Sequence, residues 1–195
     1  MSPLFRHRWF WFLMVTIGSV VAAFFCLPIV QKGSNKMDEN RFWAMIESAW
    51  TKVGGKVQMR QKLAEGKLSE EKAYELRESA DEVVTALSEE LRMLSAEDLL
   101  AFDRILERKL YDIDRAQIQE RTDGSDDGFL YARGFIVVVG MAYYNAVNDN
   151  PSIAIRDIEC EPMCYLSWHI YEEKYGPVPP SGISRESQSN RAGWR

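Results

Sequence analysis

Histidine and cysteine are the scarce residues of this chain, two of the former and three of the latter in 195. His7 lies beside an apolar amino-terminal segment, which leaves His169 as the one imidazole of the remainder. Cys26 falls within that apolar segment, and Cys160 and Cys164 are too few and too close together for a secreted disulfide framework. Cys160, Cys164 and His169 offer at most three metal ligands with no fourth nearby, so a zinc site is not predicted. Five residues along a helix turn Cys164 and His169 apart, which argues against a Cys–His nucleophile pair. Also missing are a glycine-rich phosphate loop, a serine nucleophile elbow and an HExxH pair. No cofactor is expected, and the sequence leans away from an enzyme.

Basic charge is in short supply beyond residue 36. Residues 1–36 carry four basic side chains and no acid, so with the whole chain at −5 the remainder sits at −9. Binding to a phosphate backbone draws on Lys and Arg and the counterions they release, so nucleic acid is set aside as a partner. A basic protein partner suits the acidic remainder better.

What the chain does have is a run of 22 residues, Trp9 to Val30, without a charge. As a helix it would extend roughly 33 Å at about 1.5 Å per residue, close to the roughly 30 Å hydrocarbon core of a bilayer. Arg6 and Arg8 precede it, and Trp9 and Trp11 lie at one end, where amphipathic rings favour the headgroup region. Residues 1–8 are therefore predicted as a basic head, 9–30 as a single-pass membrane anchor and 31–36 as a linker. Two readings compete. A signal peptide cut after Val21-Ala22-Ala23 is opposed by the apolar run continuing through Val30. A start at Met37 would make the protein cytoplasmic. Cys26 is a poor lipid acceptor because bulky Phe25 precedes it. Lys32, Lys36 and Arg41 nearly balance the basic residues ahead of the span, so the side of the membrane stays open.

The spacing beyond Met37 is helical. Asp38 is placed to cap a helix carrying Phe42, Ile46, Ala49, Trp50 and Val53, which Gly54-Gly55 ends. A shorter helix, 56–65, closes at Gly66. Ser69 opens the longest one, with Leu76, Ala80, Val83, Val84, Leu87, Leu91 and Leu94 on one stripe. Ser95 caps the next, with Asp98 in the position of a capping-box acid and Leu99, Phe102, Leu106, Leu110 and Ile113 facing the core. Phe129 to Val147 is apolar nearly all round and too long for a strand, so it is predicted as one buried helix. Pro162 suits the first turn of a last helix through Trp168 and His169, stopped by Gly176, with Glu172 and Glu173 on a solvated face. Residues 37–176 are thus predicted as an all-α bundle of five to six helices. The tail 177–195, rich in Pro and Ser and without apolar periodicity, is expected to be disordered.

Three segments carry a resemblance: Met37-Asp-Glu-Asn-Arg-Phe-Trp43; Leu94-Ser-Ala-Glu-Asp-Leu99 with Phe102-Asp103; and Ser125-Asp-Asp-Gly-Phe129 followed by Tyr131 and Arg133-Gly134-Phe135-Ile136. Together they resemble the bacterial domain-of-unknown-function family numbered 4240, over about residues 37–175. The resemblance implies an all-α domain and brings no activity with it. It marks Ser125, Asp126, Asp127, Gly128, Phe129, Arg133 and Gly134 as the signature. The chain departs from the family in its polar segment Gln117–Gly124, where an apolar, glycine-containing one is usual, and in the residues that precede Met37.

The signature has three physical readings. In the structural one, Ser125 caps the buried helix, Asp126 and Asp127 complement its dipole, Gly128 and Gly134 admit close packing, and Arg133 pairs an aspartate. In the second it is a divalent-cation loop, since Asp123, Ser125, Asp127 and Gly128 match positions one, three, five and six of a calcium-loop template. The twelfth position is Gly134 where a bidentate Glu belongs, which rules out an EF-hand. In the third, Asp126, Asp127 and Arg133 line a binding or catalytic pocket. The expected function is a membrane-tethered interaction, regulatory or immunity-type module; the alternative is an unfamiliar enzyme or metal-binding domain using Ser125 to Arg133.

Overall fold

A computed structural model describes residues 36–122 and 125–195 of the chain. The predicted head and membrane anchor, and the linker up to residue 35, lie outside the described residues. Among the described residues no helix is long and apolar enough to cross a membrane, and the secondary structure is entirely helical: α1 (Glu39–Lys52), α2 (Val57–Ala64), α3 (Glu70–Arg92), α4 (Ala96–Asp112), α5 (Ala116–Gln119), α6 (Asp126–Val139), α7 (Met141–Asp149) and α8 (Glu161–Tyr175), with a short 3-10 turn at Pro151–Ile153.

The helix starts follow local chemistry. Asp38 accepts from the Arg41 N–H at 2.8 Å, Ser69 from Lys72 at 3.4 Å, Ser95 from Asp98 at 3.2 Å and Ser125 from Gly128 at 3.0 Å. Each satisfies one of the backbone donors that a helix start leaves orphaned. The Asp98 carboxylate does not close a capping box. It accepts instead from the Met37 N–H at 3.0 Å and from Arg41 at 3.1 Å, and so ties the start of the domain to α4. Phe42 and Phe102 meet beside it, ring centroids 4.6 Å apart.

Helix α6 is the axis of the core, packed against α3, α4, α7 and α8. From Gly128 to Val139 every residue but Tyr131 is buried. Burial on all sides outweighs the modest helix propensity of its Ile-Val-Val-Val run. Helix α1 packs on α3 and α4, and α2 on α7 and α3.

The expected single helix over Phe129–Val147 is two. The chain breaks at Gly140, whose φ of +118° excludes other residue types without strain. The carbonyls that the break strands find side-chain donors from distant helices: Trp50 Nε1 donates to Val138 O at 2.7 Å and Arg60 Nη1 to Val139 O at 3.0 Å. Arg60 is itself held by two 2.7 Å bonds to the Glu47 carboxylate and lies 4.8 Å from the Trp50 ring. With that break and the single turn of α5, the described residues hold eight α-helices rather than five or six.

The tail also departs from expectation. Residues 177–195 form no helix, yet they fold back over α4, α6 and α8. Asp114, fully buried, accepts from the Gln188 N–H (3.0 Å), Ser189 Oγ (3.2 Å), the Asn190 N–H (2.8 Å) and Trp194 Nε1 (3.0 Å). Polar anchoring of this kind leaves no apolar period in the sequence.

Candidate functional site

The signature residues are engaged within the fold. Ser125 caps α6 as expected, and Asp126 and Asp127 are exposed in its first turn. Asp126 also holds the tail: its carboxylate accepts from Gln188 Nε2 at 2.8 Å and its carbonyl from Ser187 Oγ at 2.6 Å. Gly134 is where α6 meets the start of α8, and a Cβ there would lie 2.5 Å from Cys160 O and 2.6 Å from Cys164 Sγ.

Arg133 does not pair with an aspartate. Fully buried, it donates to Leu110 O at 2.8 Å, Arg185 O at 3.0 Å and Ser187 Oγ at 3.1 Å, and its guanidinium lies 4.7 Å from the Phe129 ring. The carboxylate nearest in effect, Asp114, already has four donors from the tail. Desolvation lowers the Arg133 pKa from its ordinary value, and the Asp114 charge works the other way. Arg133 is therefore a buried clamp that reads the backbone of the tail.

The cysteines behave as packing residues. Cys160 and Cys164 are buried free thiols. Burial pushes Cys160 up to about 11 and raises Cys164 as well, so both are protonated at neutral pH. His169 is exposed on α8, beside Tyr165 and Trp168. Among the described residues no cluster of three or more His, Cys, Asp or Glu is placed to hold a metal ion; Asp123, first position of the cation-loop template, lies outside them.

A second constellation, which spacing alone did not single out, carries the densest buried charge. On α4, Asp103 is fully buried and Glu107 only 6 % exposed. Arg185 of the tail reaches between them and α8. Its Nη2 donates to both Asp103 oxygens at 3.2 Å, its Nη1 donates to Cys164 O at 2.5 Å, and Glu107 Oε1 stands 3.7 Å away. Ser167 Oγ adds a 2.8 Å bond to Asp103, and Arg104 bridges Asp103 and Glu107 from the outside at 3.5 and 3.3 Å. The Arg185 guanidinium also lies 5.8 Å from the rings of both Tyr165 and Trp168. Burial, with the Glu186 charge adding to it, pushes the Tyr165 phenol up to about 12. These groups line a half-open cavity of about 310 Å³, closed on one side by tail residues 178–186. The one sequence signal for it is that Asp103 falls beside Leu110 on the apolar arc of α4, where a carboxylate must find partners.

Residues 37–173 match the family described as "Protein of unknown function (DUF4240)". The chain belongs to this family. No curated protein and no solved structure gave a match. All three resemblance segments fall inside the matched region, and the structure brings the first two together at Asp98, Arg41, Phe42 and Phe102. Within DUF4240 boundaries lie Asp103, Glu107, Tyr165, Ser167 and Trp168; Arg185 and the rest of the tail lie beyond them.

Proposed function

We propose that this DUF4240 chain is a non-enzymatic interaction module of regulatory or immunity type, tethered to a membrane by residues 9–30, that meets a basic protein through an acidic face. The observation that carries the reading is the outer side of α3. Glu71, Glu78, Glu82 and Glu89 are all exposed. At about 100° per residue they fall on one line roughly 27 Å long. Glu75 borders that line and pairs with Lys72. Such a line raises the local concentration of a cationic partner and speeds encounter, with a strong dependence on salt. The tether is supported by the uncharged 22-residue run and its basic flank.

The test is affinity capture of the tagged full-length chain from its native membrane, with cross-links mapped on both partners. The expected result is a basic protein cross-linked to α3, lost above about 0.5 M salt as screening shortens toward ~3 Å. Capture should fall at least tenfold in the triple variant Glu78→Gln, Glu82→Gln, Glu89→Gln. Capture that is indifferent to these changes, or cross-links that avoid α3, would refute the reading of α3; release of the chain by carbonate extraction would refute the tether.

A further inference from the structure

We infer that the cavity between α4 and α8 is a receptor for an arginine side chain, that Arg185 occupies it in cis, and that an arginine of the basic partner displaces Arg185 to bind there. The inference rests on the basic partner proposed above and names the group by which that partner is held.

Everything that grips the guanidinium comes from the family-matched region: the Asp103 carboxylate, Glu107, the Cys164 carbonyl and the Tyr165 and Trp168 rings. The occupant comes from a segment beyond that region, without helix or strand, that arrives over the open side of the cavity. Without Arg185, two buried carboxylates face Arg104 alone, and one negative charge is left uncompensated. A buried carboxylate in that position needs a cation, and the geometry selects which one. A planar fork can bond Asp103 and the Cys164 carbonyl from adjacent nitrogens while lying against two aromatic rings; a lysine ammonium has one point of charge and no plane to stack. The tail carries its own means of return, because Asp114 and Arg133 keep hold of Ser187 to Trp194 when the arginine site is vacated. The arrangement is that of a tethered competitor, which sets how strongly an outside arginine must bind to enter.

The full-length chain tests this by chemical rescue. Arg185→Ala should bind N-acetyl-arginine methylamide saturably in calorimetry, at least tenfold tighter than the parent chain does and at least fivefold tighter than the lysine analogue. Adding Asp103→Asn should abolish that binding. Equal binding by parent and variant, none by the variant, or no preference over lysine would overturn the inference. The parent chain gives an independent measure should Arg185→Ala fold poorly. Glutamyl-endopeptidase cleavage after Glu186 should accelerate at least fivefold with a Gly-Arg repeat peptide and not with a Gly-Lys repeat; unchanged cleavage, or equal acceleration by both, overturns it. The two readings fail separately. If capture depends on α3 but the arginine probe finds no site in Arg185→Ala, the receptor is wrong and the acidic face stands. If the probe binds as expected but no basic protein is captured, the acidic face is wrong and the arginine site stands.

Discussion

Gly134→Ala is the sharpest probe of the α6–α8 contact. In most exposed helix positions such a change would stabilise, since Ala exceeds Gly by about 1 kcal/mol in helix propensity. Here the added methyl would sit 2.5 Å from Cys160 O and 2.6 Å from Cys164 Sγ, against ordinary contact of 3.4 Å or more, so α8 must retreat by nearly an ångström. It is not free to do so. The Cys160 N–H donates to Tyr131 O at 2.9 Å and Cys164 Sγ to Leu130 O at 3.3 Å, both on α6, and Met163 N–H holds the Cys160 carbonyl at 3.2 Å. Overpacking of a well-filled interior costs about 1–3 kcal/mol, and weakening these bonds adds about 1 kcal/mol more. Less the propensity gain, the net loss should be about 1–3 kcal/mol, or a fall in Tm of roughly 2–12 °C for a chain of this size. Urea unfolding followed by circular dichroism at 222 nm measures it. Combining the change with Cys164→Ala, which removes one of the two obstructing atoms, should cost less than the sum of the single changes. A loss under about 0.5 kcal/mol, or strict additivity in the pair, would refute the argument that this glycine is required by contact.

Two further outcomes follow from the same geometry. Ser125→Ala removes the acceptor of the Gly128 N–H and should cost about 0.5–2 kcal/mol; calcium or magnesium should leave the Tm of the parent unchanged, and a clear rise that Asp127→Asn abolishes would restore the cation-loop reading. On the alkaline side, Cys160 and Tyr165 hold their protons more tightly folded than unfolded, up to about 11 and about 12. Raised folded values give stability that is full below the ordinary thiol pKa of ~8.5 and lost as pH climbs through the folded values. Tm should therefore decline between about pH 9 and pH 11 in the parent and less steeply in Cys160→Ala; parallel profiles would contradict it.

The parts of the fold that were legible in sequence are those decided within a few residues. Asp38, Ser69, Ser95 and Ser125 cap because a side-chain oxygen three residues ahead of an orphan N–H is a local arrangement. The break at Gly140 was not legible, because what makes it tolerable is a tryptophan and an arginine 88 and 79 residues away in the chain. The hold on the tail was illegible for a related reason. Periodicity detects apolar burial, whereas residues 184–194 are held by hydrogen bonds to three carboxylates, by a buried arginine and by one edge-on ring contact, Trp194 against Phe129 at 5.9 Å. The candidate site suffered most. Its signature residues were visible as a motif, but Arg133 points to the tail, and the charged cavity is assembled from α4, α8 and residues 82 positions apart.

The Met37 contact has a practical and chemical corollary. In the full chain an uncharged peptide N–H donates to Asp98 Oδ1 at 3.0 Å, with the Met37 side chain buried. A polypeptide begun at Met37 would carry an α-ammonium at that spot, and Asp98, already the counterion of Arg41, would face a second cation. An α-amino group ordinarily titrates at about 7.7–8.0, so the neighbouring carboxylate would hold it charged to higher pH. The two polypeptides would thus be told apart by one titration, and a purification tag joined directly to Met37 would keep the neutral form.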